Sequence, residues 1–356
     1  MKKHLLKSDV NYYKAMLHLH TTCSDGGKTP EEIKEIYKAM GYSIVAYTDH
    51  ELMIPHNELA DDTFLPITST EYGVYSDERV KIGFSTAKAV HLNLYSRDKN
   101  ATIAPAFCEA EVIRMNREHM ISRVTEEMRR AGDETRVYST ECVNSIIKRA
   151  NEAGYLVSLN HPVWSLQRYE DYIDYEGLWG VEVHNSECVA LGFNDTVQPF
   201  TDILDSGRQV FPLATDDWHA NPARDAAGKG FVMVGAERLE YDAVFEALRQ
   251  GDFYASSGPL IHAMYVEDGK LYVECSDAVS VVVSTDRRRA RAAFAHSGET
   301  ITSAELDIAD IIEESPEVDE KYKEHGIKRR SYIRVTVNDK NSNCAYTRAY
   351  FINEII

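Results

Sequence analysis

The sequence predicts an α/β fold whose strands alternate with helices, followed by a smaller region that is mainly β-structure. Two observations lead to this prediction. Short apolar runs such as 44–47, 155–159 and 210–214 alternate with segments of helical periodicity between residues 15 and 258. After residue 258 the sequence changes to alternating strands separated by turn residues. Strands separated by helices pair in parallel, so we expect a parallel sheet in the first part.

Composition narrows the classes of function. The chain has 356 residues, enough for one large domain with an appendage. Its formal net charge of −18 argues against a nucleic-acid-binding surface, which needs a basic stripe, but bound cations would still allow a small anionic substrate. The six cysteines form no C-x-x-C pair, and no apolar run is long enough for a signal peptide or a membrane span. We therefore expect a cytoplasmic protein with reduced thiols that binds neither nucleic acid nor a membrane.

The first candidate metal ligands lie in residues 17–25. His18 and His20 are separated by one residue, and side chains at this spacing on a strand point to the same face. A turn rich in Ser, Asp and Gly follows at residues 24–27. Histidine is the commonest metal ligand but also a frequent surface residue, so the pair alone is compatible with both interpretations.

The same arrangement recurs along the chain. After a helix that we predict from Thr29 and Pro30 to about Gly41, the strand at 44–47 runs into Asp49 and His50. Later apolar strands contain, or are followed closely by, further histidines and carboxylates: Glu71, His91, His161, Glu182, His184, Asp216, Asp217 and His219. Parallel strands that close into a barrel bring their carboxyl ends to one mouth, where active sites lie. The recurrence therefore predicts that these side chains share one site.

In order and type, these residues resemble the polymerase and histidinol phosphatase (PHP) superfamily of metal-dependent hydrolases. The resemblance covers most of residues 15–258 and is carried by His18-Leu-His20, Asp25, Thr48-Asp49-His50, Glu71, His91, His161 and Asp217-Trp-His219. It implies a distorted seven-stranded (β/α)7 barrel. The phrase at 251–259, followed by a β-rich region, also resembles the carbaryl-hydrolase-like branch.

The resemblance implies a centre of two or three divalent ions. Zn, Mn and Fe all suit mixed imidazole and carboxylate ligands. The ligands of the first ion would be His18, His20, Glu71 and Asp217. Those of the second would be Glu71, His91 and His161, which makes Glu71 a bridge. Those of a third would be Asp25, His50 and His219, with Asp25 where some relatives have histidine.

The activity implied is hydrolysis of a small phosphomonoester by metal-activated hydroxide, for which Glu71 and Asp217 would be essential. The alternative is a carboxylester or carbamate hydrolase on the same centre, since a Lewis acid polarises C=O as well as P=O. His184 is either a general acid or a structural hydrogen-bonding residue. Arg224 and Lys229 either clamp the phosphate oxygens or are solvated loop charges. A catalytically inert metal-binding scaffold and a nuclease fit the ligand set and the acidic charge less well.

We expect two domains. Residues 1–258 would form the metallohydrolase barrel, with a helical insertion at about 95–140, and residues 259–356 a small β-sandwich-like domain. The insertion would hold a helix at about 109–131, either a lid with phosphate-binding arginines or a solvated helix. Asp268-Gly269 predicts a primed turn in a hairpin. Asp49 would orient His50 or cap a following helix.

Overall fold

A computed structural model describes residues 2–133, 135–194 and 196–356. Its strands are β1 (Lys3–His4), β2 (Asn11–Met16), β3 (Ile44–Tyr47), β4 (Leu65–Tyr75), β5 (Ala89–Tyr95), β6 (Leu156–Asn160), β7 (Gly180–Asn185), β8 (Phe211–Thr215), β9 (Phe231–Ala236), β10 (Phe253–Ser256), β11 (Ile261–Glu267), β12 (Lys270–Ala278), β13 (Ser280–Thr285), β14 (Ala290–Phe294), β15 (Ile301–Asp307), β16 (Tyr332–Asn338), β17 (Cys344–Thr347) and β18 (Tyr350–Phe351).

The helices are α1 (Pro30–Ala39), α2 (Glu78–Lys81), α3 (Glu109–Arg114), α4 (Glu118–Ile121), α5 (Glu126–Ala131), α6 (Thr140–Glu152), α7 (Tyr169–Tyr172), α8 (Ser186–Ala190), α9 (Gln198–Asp205), α10 (Tyr241–Gln250), α11 (Ala309–Glu324) and α12 (Ile352–Ile355). Short 3-10 segments cover Asn57–Leu59 and Phe84–Thr86. Within the described ranges, no helix has the length and apolar character needed to cross a membrane.

Helix α1 begins and ends where the sequence predicts. The Thr29 hydroxyl accepts a hydrogen bond from the Glu32 N–H at 3.2 Å, and the Glu32 carboxylate accepts one from the Thr29 N–H at 2.9 Å. This reciprocal pair satisfies amide groups that the first helical turn leaves without partners. Gly41 has a φ of 81°, a left-handed conformation that glycine adopts without steric cost and that ends the helix.

Most strands belong to one large mixed sheet, in the order β14-β13-β16-β17-β10-β9-β2-β3-β4-β5-β6-β7-β8. The predicted parallel pairing holds for β2, β3 and β4, and again for β6, β7 and β8. Apolar side chains on both faces of this sheet are buried, as the near-continuous apolar runs indicate. The carboxyl ends of these parallel strands lie at the same end of the sheet, and the candidate site is located there.

Strand β5 departs from the prediction, because it is antiparallel to both β4 and β6. The connection between β4 and β5 contains only the four-residue helix α2 and a 3-10 turn, so the chain folds back as in a hairpin. His91 therefore lies near the start of its strand. It still reaches the shared end of the sheet, because it pairs in register with Asn160, the last residue of β6.

The described strands do not form a closed barrel, so the expected seven-stranded closure is wrong. Strand β2 is already paired along Asn11–Ala15 with the antiparallel strand β9, which keeps β8 from joining it there. Only the segments beyond β2 and β8 meet. The Asp217 N–H donates to His18 O at 2.9 Å, and the His20 N–H donates to Trp218 O at 3.1 Å. The segments that follow β2 and β8 thus meet at the end of the sheet that carries the candidate ligands.

Strands beyond residue 258 belong to two sheets, since β13, β14, β16 and β17 extend the large sheet while β11, β12 and β15 form a second sheet with β1. A four-stranded sheet, β1-β11-β12-β15, packs its apolar side chains in one cluster with those of β13 and β16. The predicted turn is present, with φ of 50° at Asp268 and 78° at Gly269 between β11 and β12. Strand β1 comes from the N-terminus, and β10 pairs with both β9 and β17, so both parts of the chain share strands. The division at residue 258 stays a prediction.

The insertion at about 95–140 differs from the single helix expected at 109–131. It contains three short helices, α3, α4 and α5, separated by turns. Asn116 has a φ of 53° between α3 and α4, a left-handed conformation that breaks a helix. Helix α6 follows the insertion.

Candidate metal centre

The Glu71 carboxylate lies at the centre of the candidate site. Three imidazole nitrogens surround its Oε1 atom: His18 Nε2 at 3.2 Å, His91 Nδ1 at 3.1 Å and His161 Nε2 at 3.3 Å. The Asn160 amide donates a hydrogen bond to the same oxygen at 2.8 Å. Glu71 is buried within β4, which continues past it to Tyr75, so a rigid strand positions this carboxylate.

The other oxygen of Glu71 faces a second group of histidines. Its Oε2 atom lies 3.4 Å from His20 Nε2 and 3.2 Å from His50 Nδ1. The two Glu71 oxygens therefore contact different sets of predicted ligands. The role of Glu71 as a bridge between two ions, which the family resemblance implies, stays a prediction.

Asp217 forms the second carboxylate of the cluster. Its Oδ1 atom is 3.2 Å from His18 Nε2 and 3.1 Å from His20 Nε2, and its Oδ2 atom is 3.6 Å from His161 Nε2. Asp217 has a φ of 53° and His161 one of 27°. Positive φ is uncommon in residues other than glycine, and such strain concentrates at functional sites.

Asp25 lies in a third group with three histidines. Its Oδ1 atom is 3.7 Å from His20 Nδ1 and 3.6 Å from His219 Nε2, and its Oδ2 atom is 3.6 Å from His50 Nε2. The donor atoms of all four residues lie within 4.8 Å of one another. The structure therefore brings together the three residues expected for a third ion and adds His20, which faces both groups through its two ring nitrogens.

The carboxylates and histidines of the cluster perturb one another's protonation. Burial alone would raise the pKa of Glu71, but His91 and His18 hold it well below its usual value. The pKa of Asp217 is likewise lowered by its histidine neighbours, His18 first, against the effect of burial. Burial lowers the pKa of His50 to about 3. The carboxylates are thus ionised and His50 neutral, the forms in which these groups bind cations.

Two buried ring nitrogens test whether a cation fits here. His18 Nε2 and His20 Nδ1 are buried and make no hydrogen bond with any residue the structure describes, although carboxylate oxygens lie 3.2 and 3.7 Å away. A buried polar atom without a hydrogen bond costs free energy. Buried imidazole nitrogens gathered around ionised carboxylates form a donor set that suits Zn, Mn or Fe.

Two carboxylates near the cluster accept hydrogen bonds from backbone N–H groups and so fix neighbouring loops. Asp49 takes neither role expected from the sequence: it accepts hydrogen bonds from the Thr21 N–H at 2.8 Å and the Ser24 hydroxyl at 2.6 Å, and so braces the turn that carries Asp25. Asp216 accepts hydrogen bonds from the N–H groups of Gly228, Lys229 and Gly230. It fixes the loop that follows His219.

One further group of donor atoms consists of Cys23, Asp49 and His56. The oxygens of Asp49 already accept three hydrogen bonds, from Thr21 N–H, Thr21 hydroxyl and Ser24 hydroxyl. We therefore assign no ion to this group.

A cavity of about 380 Å³ opens above the cluster. Besides predicted ligands, its walls include Tyr75, Arg79, Phe84, Met115, Trp164, Glu187, Leu191 and Arg224. Apart from Arg224, the sequence analysis did not single these residues out as site residues. The spacing of these residues in the sequence carries no signal, because they come from separate segments. The fold-back of β4 onto β5 brings Tyr75, Arg79 and Phe84 to the cavity, the insertion brings Met115, and segments after β6, β7 and β8 bring the others.

The remaining candidates differ in position. Arg224 lines the cavity, but its Nη1 is paired with the Glu187 carboxylate. Lys229 is not among the lining residues; its ammonium group is half-exposed and lies 2.8 Å from Asp225. His184 lies beside the cluster in a smaller adjoining cavity, with its Nε2 3.0 Å from the Ser186 hydroxyl. The structure thus brings Arg224 to the cavity and gives Lys229 and His184 other neighbours.

No protein-family model matches the chain, and no curated protein matches it. Among solved structures, a two-domain protein from Bacteroides vulgatus, which contains a predicted PHP-like metal-dependent phosphoesterase, is 12% identical over 98% of each chain, with a TM-score of 0.43. A protein from Bifidobacterium adolescentis, assigned as a metal-dependent phosphoesterase, is 17% identical over 60% of this chain and 90% of its own, with a TM-score of 0.36.

A third solved structure is an amidohydrolase from Chromobacterium violaceum with bound sulfate and no metal. It is 16% identical over 67% of this chain and 96% of its own, with a TM-score of 0.42. These three solved structures are thus a protein with a predicted PHP-like phosphoesterase, a second protein assigned as a metal-dependent phosphoesterase, and an amidohydrolase. The carbaryl-hydrolase-like branch stays a prediction. Likeness at this level assigns neither a substrate nor residue roles.

Proposed function

We propose that this protein is a metal-dependent phosphoesterase of the PHP type, acting on a small phosphomonoester. The observation that supports the proposal is the position of Glu71. Five histidines from separate parts of the chain place a ring nitrogen within 3.4 Å of its two oxygens: His18, His20, His50, His91 and His161. A buried carboxylate surrounded by imidazoles has no role in packing a core, but it is what a multinuclear cation site requires.

The residues that would hold two or three divalent ions follow the three groups described above. One group is His18, His20, Glu71 and Asp217; the second is Glu71, His91 and His161; the third is Asp25, His50 and His219. When bound, such ions lower the pKa of water and stabilise the entering and leaving oxygens of phosphoryl transfer.

The protein's own part is to hold these groups in a fixed, charged arrangement. The Asn160 amide holds Glu71 Oε1 at 2.8 Å, and the Asn185 amide holds Asp217 Oδ2 at 3.2 Å. Both amides are buried, so neither carboxylate turns toward solvent. Arg224, at the cavity wall, provides positive charge for an anionic substrate, although part of this charge is balanced by Glu187.

A carboxylester or carbamate hydrolase on the same centre is the second candidate. The observation behind it is that the cavity has an apolar side formed by Phe84, Trp164, Met115 and Leu191, which would bind the apolar group of an uncharged ester. The ligand groups do not distinguish the two reactions, since both need a polarised oxygen and an activated water.

Two measurements test the proposal together. Elemental analysis of undepleted protein should find more than one equivalent of transition metal. The metal-loaded protein should then hydrolyse p-nitrophenyl phosphate faster than p-nitrophenyl acetate. Glu71→Gln should lose both the metal and the activity, whereas Glu246→Gln, a surface control on α10, should keep both. Ester turnover without phosphatase activity would instead favour the second candidate.

A further inference from the structure

Arg79 on α2 lines the cavity, and its guanidinium group has hydrogen-bonding capacity to spare. Its Nη1 atom is buried and has no hydrogen-bond partner among the residues the structure describes. The nearest acidic group is the Glu111 carboxylate, 3.9 Å away, and this carboxylate is already bound by Arg114 at 2.5 Å. A buried donor without an acceptor costs free energy, so a ligand that supplies an acceptor oxygen would be favoured.

Aromatic contacts fix the position of this guanidinium relative to the metal ligands. The Arg79 Cζ atom lies 3.8 Å from the centre of the Tyr75 ring and 5.5 Å from that of Phe84. The Tyr75 hydroxyl in turn lies 2.9 Å from His91 Nε2. Tyr75 therefore connects the arginine to the cluster. A guanidinium stacked on aromatic rings is held in a fixed plane and loses little entropy when it binds two oxygens of one phosphate group.

Arg224, on the opposite loop, is less suited to this role. Its Nη1 is bound by the Glu187 carboxylate, and the same carboxylate accepts a hydrogen bond from the His219 N–H at 3.1 Å. This arginine holds the loop of a candidate ligand in place. Of the two arginines that line the cavity, Arg79 is the one whose guanidinium group has no carboxylate of the described residues within hydrogen-bond distance.

The wall next to Arg79 is apolar and aromatic. The rings of Phe84 and Trp164 lie 6.1 Å apart, and Trp164 contacts the ligand residues His91 and His161 at ring distances of 5.6 and 4.9 Å. Phe84 is 51% exposed and Leu191 is 42% exposed. Exposed apolar side chains gathered at the mouth of a charged cavity mark a place for an apolar group of a ligand.

We propose that the substrate is the phosphomonoester of an aromatic alcohol, with its phosphate held by Arg79 and its ring placed against Phe84 and Trp164. This inference rests on the proposed phosphoesterase function. In the reaction, the oxygen of water joins phosphorus and the bond between phosphorus and the aryl oxygen breaks. One proton of the water ends on the aryl alcohol and the other on inorganic phosphate. Arg79 neutralises charge on the phosphate oxygens, while the aromatic wall selects the leaving group.

Binding of phosphonates, which have no hydrolysable P–O–C bond to the organic group, tests the inference without turnover. Phenylphosphonate and methylphosphonate would be titrated into metal-loaded protein by calorimetry. Arg79→Gln should weaken both ligands by about tenfold or more, the range for a hydrogen bond to a charged group. Arg79→Lys should recover part of the loss. Phe84→Ala should weaken phenylphosphonate by several-fold and methylphosphonate little, because only the first carries a ring.

Matched controls separate this inference from the function it rests on. Arg249→Gln, an exposed arginine paired with Glu246 on α10, should bind both phosphonates as the unaltered protein does. Elemental analysis and thermal melting would show that each variant keeps its metal and fold. Phosphomonoester turnover with unchanged phosphonate binding in Arg79→Gln overturns the inference and leaves the function standing. Arg79-dependent binding of phenylphosphonate without any turnover of phenyl phosphate supports the site and overturns the function.

Discussion

His18 Nδ1 and Glu182 Oε1 lie 2.7 Å apart, and both side chains are buried. Glu182 has a lowered pKa, because the nearby His18 outweighs the effect of burial, so its carboxylate accepts the hydrogen bond and His18 Nδ1 carries the proton. The other ring nitrogen, Nε2, faces the Glu71 and Asp217 carboxylates at 3.2 Å. Glu182 also accepts the His161 N–H at 2.8 Å. Glu182 is thus a positioning residue behind two candidate ligands.

Glu182→Ala should therefore weaken metal binding without removing a ligand. We expect a loss of about 10- to 100-fold in affinity, the usual effect of losing a hydrogen-bond partner of a metal-bound histidine. Competition with a chromogenic chelator would measure it. Glu182→Gln, which keeps an acceptor oxygen for His18, should lose less than the alanine variant. Unchanged affinity in Glu182→Ala would show that the fold alone orients the His18 ring.

Glu71→Gln should have a larger effect, because it removes the charge shared by the two ligand groups. We expect kcat to fall by more than about a hundredfold, the loss typical of removing one preorganised electrostatic group from an active site. Measurement of kcat at a saturating concentration of metal would distinguish a loss of catalysis from a loss of metal binding. If kcat recovers fully at high metal concentration, Glu71 contributes affinity only.

The candidate ligands could be predicted from the sequence because each follows or lies within a strand. Strands such as β3 and β6 are short buried runs, and a polar residue at their ends must lie at an edge of the sheet. His50 and His161 were identified in this way, and both lie against Glu71. Periodicity gives the face of a side chain but not the direction in which neighbouring strands run. The antiparallel orientation of β5 therefore had no signal in the sequence. The pairing of β2 with β9, which prevents a closed barrel, had none either.

Residues that act through a partner could not be predicted. Asp49 follows β3 and Glu182 lies within β7, yet Asp49 braces a turn at Thr21 and Glu182 orients His18. The role of each carboxylate depends on which side chain lies next to it in the fold. For Glu182 that side chain is His18, which is more than a hundred positions away in the sequence. Arg79 is a similar case, since the fold-back between β4 and β5 alone brings it to the cavity.

Removal of metal should lower the melting temperature. A cation that binds only the folded state stabilises it by RT ln(1 + [L]/Kd), about 2.7 kcal/mol at a free concentration of 100 Kd. Melting would be followed by calorimetry after dialysis against a chelator and again after adding back Zn, Mn or Fe. Asp217→Asn should respond much less to the added ions. A melting temperature that does not depend on metal in the unaltered protein would contradict a site built from these residues.

Lys229→Ala should leave the Michaelis constant unchanged. Its ammonium group is half-exposed and pairs with Asp225 at 2.8 Å, and surface pairs of this kind contribute about 0–1 kcal/mol to stability. Steady-state kinetics with an aryl phosphate would check the expectation. A KM raised tenfold or more would show that the loop moves and brings Lys229 to the phosphate, as the sequence alone allowed.

Arg136 and Glu51 should be the most sensitive pair outside the cluster. Arg136 Nη1 lies 2.9 and 2.8 Å from the two Glu51 oxygens, and its Nη2 donates to Ala106 O at 3.0 Å. Both side chains are almost fully buried, and burial raises the pKa of Glu51 to about 7 despite the arginine. The pair ties the insertion to the residue that follows His50.

Arg136→Ala should lower the free energy of unfolding by about 3–5 kcal/mol, because it leaves a buried carboxylate without its partner. Urea denaturation would measure the change. The double variant Arg136→Met with Glu51→Gln should recover much of it, since a buried ion pair costs desolvation that the neutral pair avoids. Arg249→Ala, which breaks an exposed pair with Glu246, should cost no more than about 1 kcal/mol. Equal losses for Arg136→Ala and Arg249→Ala would mean that the insertion is held by its other contacts.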